Sequence, residues 1–364
     1  MSTAGLLLLI AGAVLSTALT LIIRRLSTRL RFLDEPDGRK THARAVPYGG
    51  GIALFLATAL PLAAVAVTVL AAHASGRPAW LPRGIWREGA VHVPGAALKL
   101  PQLGVVLSGG VVLCVLGIVD DRRRLGPVVK LVVQLAVAVA VTMAGIRVSA
   151  FLNSELLGAA LTVVWIIVIT NAFNFMDNMD GLSAGVALII SCVFVVVACA
   201  SGQLFIALTL LPFVGALAGF IPFNIAPASI FMGDAGSLFI GYFLAVLSVL
   251  FTFYSGPTAS FRPFVLPLII FAVPIYDAAS VTIIRLKERR SPLSGDRRHL
   301  SHRLVALGLS ERLAVAAIHL LTLGISLAGV LLYLVEGNIG EVITIAQTLV
   351  LLAVMVVIER AIRS

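Results

Sequence analysis

Charge is what this sequence has least of. Asp, Glu, Lys and Arg make up 12% of its 364 residues, against about a quarter in an ordinary soluble domain, while 60% are hydrophobic. That imbalance excludes an ordinary soluble enzyme, a disordered chain and a fibrous repeat. Cysteine is scarce too. Cys114, Cys192 and Cys199 fall inside long apolar runs, with no paired pattern and no metal-ligand spacing. A disulfide-rich secreted scaffold is therefore excluded, and three small core hydrophobes are the expectation.

What remains is apolar sequence, with a mean hydropathy of +1.07. Runs near twenty residues recur at Leu6–Ile23, Gly50–Ala72, Leu103–Val119, Val128–Ala144, Leu156–Thr170, Leu182–Ala200, Leu204–Pro222, Leu238–Tyr254, Phe264–Ile284, Leu313–Val335 and Val342–Ile358. Each suits a hydrocarbon core about 30 Å thick. The fifth and eighth are short. The expected fold is an all-α, polytopic integral membrane protein with ten or eleven transmembrane helices, residues 1–364 forming one transmembrane domain. Leu6–Ile23 has no basic residue before it, and Arg24, Arg25, Arg29 and Arg31 follow. It reads as a helix with its amino terminus outside rather than as a cleaved leader.

A net charge of +10 invites a nucleic-acid reading, yet in a membrane chain position matters more than total. With eleven alternating spans, 21 Lys/Arg (Lys130 included) fall on one side and 6 on the other. The positive-inside rule makes the first side cytoplasmic. Thirteen of the 17 acids share that side. Topology needs only the basic residues, so the excess of acids points to chemistry on that face, and no nucleic-acid partner is expected.

Five motifs lie there. Asp120-Asp121 closes the third span ahead of Arg122-Arg123-Arg124. Adjacent carboxylates at a membrane boundary need a shared cation or proton, so magnesium or phosphate chemistry competes with a solvated helix end neutralised by arginines. Asn171-Ala172-Phe173-Asn174-Phe175-Met176-Asp177-Asn178-Met179-Asp180-Gly181 places oxygen ligands suited to Mg²⁺ and ribose between two apolar spans. If helical, Asn174, Asp177 and Asp180 share a face. Asn224 and Phe231-Met232-Gly233-Asp234 lie in a loop without Lys or Arg, so Asp234 wants a cation from elsewhere, and a bound metal is the economical one. His299, His302 and Arg303, in a loop rich in arginine, make an anion site suited to a diphosphate. Gly49-Gly50-Gly51 opens the second span, where backbone N–H groups can meet an anion; alone it is weak evidence, and without the other motifs a flexible hinge is the better reading.

Taken together, these residues resemble the polyprenyl-phosphate N-acetylhexosamine-1-phosphate transferase family, from about Asp34 to Gly308. The resemblance implies a magnesium-dependent membrane enzyme, with Mn²⁺ as a substitute, that moves a sugar 1-phosphate from a UDP-sugar to polyprenyl phosphate and releases UMP. By motif, Asp120 and Asp121 are the catalytic acids that handle the lipid phosphate. Asp234 and Asn174 bind metal, and Asn171, Asp177, Asp180, Asn224, His299, His302 and Arg303 hold the nucleotide sugar and diphosphate. The histidine motif often reads His-Leu-His-His-Arg-Leu, whereas Ser301 stands here at the second His of that run. Asn178-Met179 stands where Gly-Ile is commoner. Arg39-Lys40-Thr41-His42 and Pro47-Tyr48-Gly49-Gly50 resemble the GlcNAc branch rather than the pentapeptide one. The implied partners are both substrates and the bilayer of a bacterial inner (plasma) membrane, with homodimer assembly admitted. The rival class is a secondary transporter, favoured by Asp277 alone, the deepest acid in the chain.

The charge asymmetry yields a topology test. Ser364→Cys should resist an impermeant thiol reagent in intact cells while Ser75→Cys labels. The reverse pattern would put the acid-rich face outside.

Overall fold

The structure is a computed structural model, described here for residues 2–35, 45–148, 154–252, 262–291, 298–334 and 338–361. The Arg39-Lys40-Thr41-His42 segment and Gly295-Asp296-Arg297 lie outside the described residues. The chain runs α1 (Thr3–Arg29), a two-residue antiparallel pair β1 (Leu33–Asp34) and β2 (Val46–Pro47), α2 (Gly50–Ser75), α3 (Arg83–Gly89), a 3₁₀ turn (Ala90–His92), α4 (Val93–Arg123), α5 (Pro127–Met143) and α6 (Glu155–Met176). It continues with α7 (Leu182–Ala200), α8 (Leu204–Asn224), α9 (Gly233–Thr252), α10 (Arg262–Ile270), α11 (Ala272–Lys287), α12 (Leu300–Ala306), α13 (Glu311–Leu334) and α14 (Asn338–Ala361).

An all-α polytopic membrane protein is what these elements form. Among the described residues nine helical stretches are long and apolar enough to cross a bilayer. The other two expected spans also find helices. Helix α5 has 17 residues, about 25 Å at the α-helical rise. The ninth span is divided into α10 and α11 around Phe271. Pro274 has no N–H to give the Ile270 carbonyl, which locates the division. The flanking bonds Phe271 N to Pro267 O (3.0 Å) and Ile275 N to Phe271 O (2.9 Å) carry the chain across it. Residues 73–102, which join the second and third apolar runs, are largely helical: α3 fills part of them, and α4 begins at Val93. Thr3 ties α1 to α3 there, its backbone N–H and hydroxyl both donating to the Glu88 carboxylate.

Helix α9 is the centre of the bundle, with 94% of its apolar window buried. Helices α2, α4 and α6 pack around it. Small residues set the approach. A side chain at Gly117 of α4 would strike the Ala235 backbone, and one at Gly51 of α2 would strike Gly236. Helices gain no hydrophobic driving force from one another inside lipid, so such close backbone contact is what holds them. The same device joins α1 to α8. A Cβ on Gly12 would lie 2.1 Å from the Pro212 carbonyl oxygen, and one on Gly215 would lie 2.0 Å from that of Leu9.

Gly215→Leu should therefore force α1 off α8 and destabilise the protein by about 1–3 kcal/mol, the usual cost of overpacking. Gly104→Ala, whose added carbon meets nothing within 4 Å, should leave stability unchanged. Thermal unfolding of the two variants in detergent makes the comparison.

Candidate active site

The ends of α4, α6, α8 and α11, the starts of α2, α5, α9 and α12, and the β1–β2 pair meet at one end of the bundle. The acids come first. Asp120 and Asp121 occupy the last turn of α4, and Asp234 lies in the first turn of α9. One Asp121 oxygen accepts the Asp234 backbone N–H at 3.0 Å, so this carboxylate caps the positive end of α9. Gly233, at φ +70°, makes the turn that lets α9 start against it; a side chain there would also collide with the Asp121 carboxylate. The second Asp121 oxygen is buried without a hydrogen-bond partner.

Asp234 obtains its cation from α5. The Lys130 ammonium lies 2.8 Å from Asp234 Oδ2 and 2.9 Å from Asp120 Oδ2. Asp120 Oδ1 accepts the Leu125 N–H at 2.6 Å, which fixes the α4–α5 turn. On the other side Asn174 Nδ2 donates to Asp234 Oδ1 (2.9 Å) and to the Ser237 hydroxyl (3.0 Å). Asn171, one turn deeper on α6, bonds Gln134 of α5 instead, so it stands apart from the acids. Lys130 and Gln134 thus form a polar edge of α5, one turn apart, against Asn174 and Asn171 of α6. Sequence reasoning counted Lys130 for topology only. Its signal was there: a lysine three residues into an apolar helix is costly unless something pairs with it.

Helix α6 ends at Met176, so Asp177 is its cap and Asp180 lies in the following turn rather than on a continued helical face. The expected shared face reaches only as far as Asn174. Burial, then the negative charges of Asp234, Asp121 and Asp180, hold the Asp177 carboxyl well above the usual carboxylate range. Asp180 accepts the Ala228 N–H at 2.8 Å. Asn224 is buried, its amide donating to the Ile230 carbonyl and accepting from the Gly181 N–H. It ties the α6–α7 turn to the α8–α9 loop.

The Gly49–Gly51 segment departs from expectation. Gly50 and Gly51 donate their N–H groups to the Phe231 and Met232 carbonyls at 3.0 and 2.9 Å, and Phe231 N–H returns to Pro47. These donors are spent on protein, because the α8–α9 loop must be pinned for α9 to begin where it does. They do not meet an anion. Tyr48, which the sequence offered only as part of a branch motif, packs between Phe32 and Phe231. Burial and the Asp34 carboxylate, which its hydroxyl bonds, raise its phenol pKa.

The histidine segment docks from the far side. His299 Nδ1 lies 2.8 Å from Asp277 Oδ2 of α11, and Leu300 N–H donates to Asp277 Oδ1 at 2.6 Å. Asp277, the acid that favoured a transporter, is thus partnered within the protein. Arg303 donates to the Ser280 hydroxyl at 2.7 Å, and His302 sits half-buried on α12. The Ser301 hydroxyl donates to Asn178 Oδ1 at 2.6 Å. The two motif positions at which this chain has its unusual residues therefore touch each other.

Oxygen donors dominate this end, as a hard divalent cation requires. Among the described residues no three His, Cys, Asp or Glu side chains converge as a closed metal cage. Magnesium does not need one, since it keeps waters and takes one or two carboxylates together with substrate phosphates. The unpartnered Asp121 oxygen and the raised Asp177 carboxyl mark uncompensated negative charge that such an ion would neutralise, so the residues fit the group.

The glycosyl transferase family 4 model matches residues 103–252, which include the acids of α4, Lys130, the α6–α7 turn and Asp234. The chain is 33% identical over 322 residues to the probable undecaprenyl-phosphate N-acetylglucosaminyl 1-phosphate transferase of Bacillus subtilis, covering 86% of this chain and 81% of that one. It is 32% identical over 340 residues to the decaprenyl-phosphate N-acetylglucosaminephosphotransferase of Mycolicibacterium smegmatis, covering 85% and 78%. Against the undecaprenyl-phosphate alpha-N-acetylglucosaminyl 1-phosphate transferase of Escherichia coli K12 it is 26% identical, covering 89% and 82%. At such identity and coverage, with the motif residues gathered at one end of the bundle, the chain belongs to glycosyl transferase family 4.

Proposed function

We propose that this protein transfers GlcNAc-1-phosphate from UDP-GlcNAc to a polyprenyl phosphate, undecaprenyl in the first instance, and releases UMP. The reaction would be an early membrane step in making a cell-envelope polysaccharide. Relatives named for this transfer, matched over most of their length, support the reading. The observation that carries it to particular residues is the convergence of Asp120, Asp121, Lys130, Asn174 and Asp234 from four helices on one point.

Two phosphorylated substrates repel, so the site must supply positive charge and hold both in line. Lys130 and the His299–Arg303 segment supply part of it, toward the lipid phosphate and the diphosphate respectively. Magnesium, with Asp234 and Asp121 to hold it and Asn174 beside them, would supply the rest by drawing charge from the phosphate oxygens. A lipid phosphate oxygen attacks the sugar-linked phosphorus; the new P–O bond forms as the bond to the UMP oxygen breaks. A phosphate monoester has its second pKa near 6, so the nucleophile is already largely deprotonated at neutral pH. Asp120, bonded to Lys130, then orients the incoming phosphate rather than carrying a phosphoryl group. Asp177 and Asp180 flank the nucleotide side, and Asn224 acts by fixing the turn that carries them.

The excess of Lys and Arg at this end supports a cytoplasmic active face in a bacterial plasma membrane, with the amino terminus outside and the carboxyl terminus inside. A cytoplasmic face is also where a nucleotide sugar would be met. Asp277, which alone favoured the transporter, is accounted for by its contacts with His299 and Leu300.

A panel of radiolabelled UDP-sugars, offered with membranes and polyprenyl phosphate, should show transfer from UDP-GlcNAc above every other donor. Label moving only from a different UDP-N-acetylhexosamine would replace the donor while keeping the chemistry. Asp120→Asn should keep UDP-GlcNAc binding and lose at least about a hundredfold in transfer; equal loss of both in calorimetry and assay would end the assignment to the lipid phosphate. Asp234→Asn should abolish Mg²⁺-dependent transfer in a protein that stays folded in detergent. Near-normal turnover with unchanged Mg²⁺ response would refute the metal role.

A further inference from the structure

Asp277 lies outside the cluster just described, on a different helix, and yet it is among the most buried charged side chains of the protein, at 2% exposure. A carboxylate in that position is costly unless its lone pairs are met. Its two oxygens are used unequally. Oδ1 accepts the Leu300 backbone N–H at 2.6 Å, which alone would anchor the start of α12. Oδ2 takes the Nδ1 of His299 at 2.8 Å. An anchor needs the first contact; the second acts on the imidazole.

The imidazole is held on another side as well. Its ring lies 5.9 Å from that of Phe175, centroid to centroid, and Phe175 stands between Asn174 and Asp177 near the end of α6. The Arg285 guanidinium lies 5.5 Å from the centre of the same Phe175 ring. His299 is therefore fixed between a buried carboxylate and the helix end that carries the acid cluster. With Nδ1 committed to Asp277, Nε2 is the ring nitrogen left to face a substrate. A carboxylate on Nδ1 sets the tautomer and stabilises the positive imidazolium, which then donates from Nε2 to an anion.

We propose that Asp277 is a positioning residue that acts through His299, setting the tautomer and orientation with which this imidazole meets the diphosphate of the donor. The proposal rests on the function proposed above and names a residue that no motif of the sequence reading placed in the site. Arg303 shares the arrangement, with Nη2 on Ser280, one turn along α11, and 3.8 Å from Asp277 Oδ1.

The test is a double-mutant cycle on the full chain in detergent, read by UDP-GlcNAc calorimetry, the transfer assay and thermal unfolding. Asp277→Asn keeps size and an oxygen for the Leu300 N–H but removes the charge. In the otherwise unaltered protein it should weaken UDP-GlcNAc binding by about tenfold, the scale of a lost charge-assisted hydrogen bond. In a His299→Ala background the same change should weaken binding no further, because the group it acts through is gone. Equal losses in both backgrounds, or no loss in either, would overturn the proposal. If Asp277→Asn does not fold, Asp277→Ser takes its place, and failure of both to fold would make Asp277 a purely structural anchor and also overturn it. An unaltered protein that neither binds UDP-GlcNAc nor transfers its sugar phosphate would sink the functional reading itself, and this role with it; a failed cycle alone would leave that reading standing.

Discussion

Four carboxylates, those of Asp120, Asp121, Asp177 and Asp234, crowd together where several helices end. At an effective dielectric constant of 20, two charges 4 Å apart repel by about 4 kcal/mol, so the arrangement needs compensation, and the protein supplies part of it. Lys130 sits between Asp120 and Asp234. Asp121 turns to the N-terminus of α9, where backbone dipoles favour a negative charge. Asp177 takes the other course, its carboxyl pKa raised by burial first and then by the negative charges around it. A protein that only needed to be stable would dilute such charge. Holding it concentrated makes sense when a cation and two phosphates are to be brought there.

Much of the packing serves to deliver α9 to that place. Its first turn is fixed by Asp121 from α4 and by Asn174 from α6. The loop before it is fixed by the N-terminus of α2 and by Asn224. Gly51 and Gly117 let α2 and α4 come within backbone contact of its start. The acid at position 234 is thus positioned by four other helices, α2, α4, α6 and α8, as well as its own.

Among the described residues the apolar runs of the sequence are helical, the ninth as two helices, since hydrocarbon leaves the backbone little alternative. The errors fell where polar residues continue a helix. Asn171 and Asn174 extend α6 past the apolar run because Gln134, Asp234 and Ser237 receive their amides, partners far away in sequence. The acids of the site were legible because carboxylates in a chain this poor in charge stand out. Lys130 announces that it needs a partner but not which one, because that partner is a residue 104 positions away. The anion reading of the Gly49–Gly51 segment gives way for a related reason: the Gly50 and Gly51 N–H groups meet protein carbonyls, and nothing local announces Phe231 and Met232. The contact between Asn178 and Ser301 belongs with these. Two unusual residues noted separately turn out to be a matched pair.

The near-complete enclosure of α9 by other helices separates two tasks that membrane enzymes often combine. The outer helices meet the lipid: only 22% of the apolar window of α1, and the same share of α14, is covered by protein. A thicker or thinner bilayer is accommodated by tilt of the helices it touches, at a modest cost per ångström of mismatch. Helix α9 touches almost none. Its depth is set by glycine contacts and hydrogen bonds inside the protein, so the outer ring can lean with the membrane while the acid at its head keeps its height.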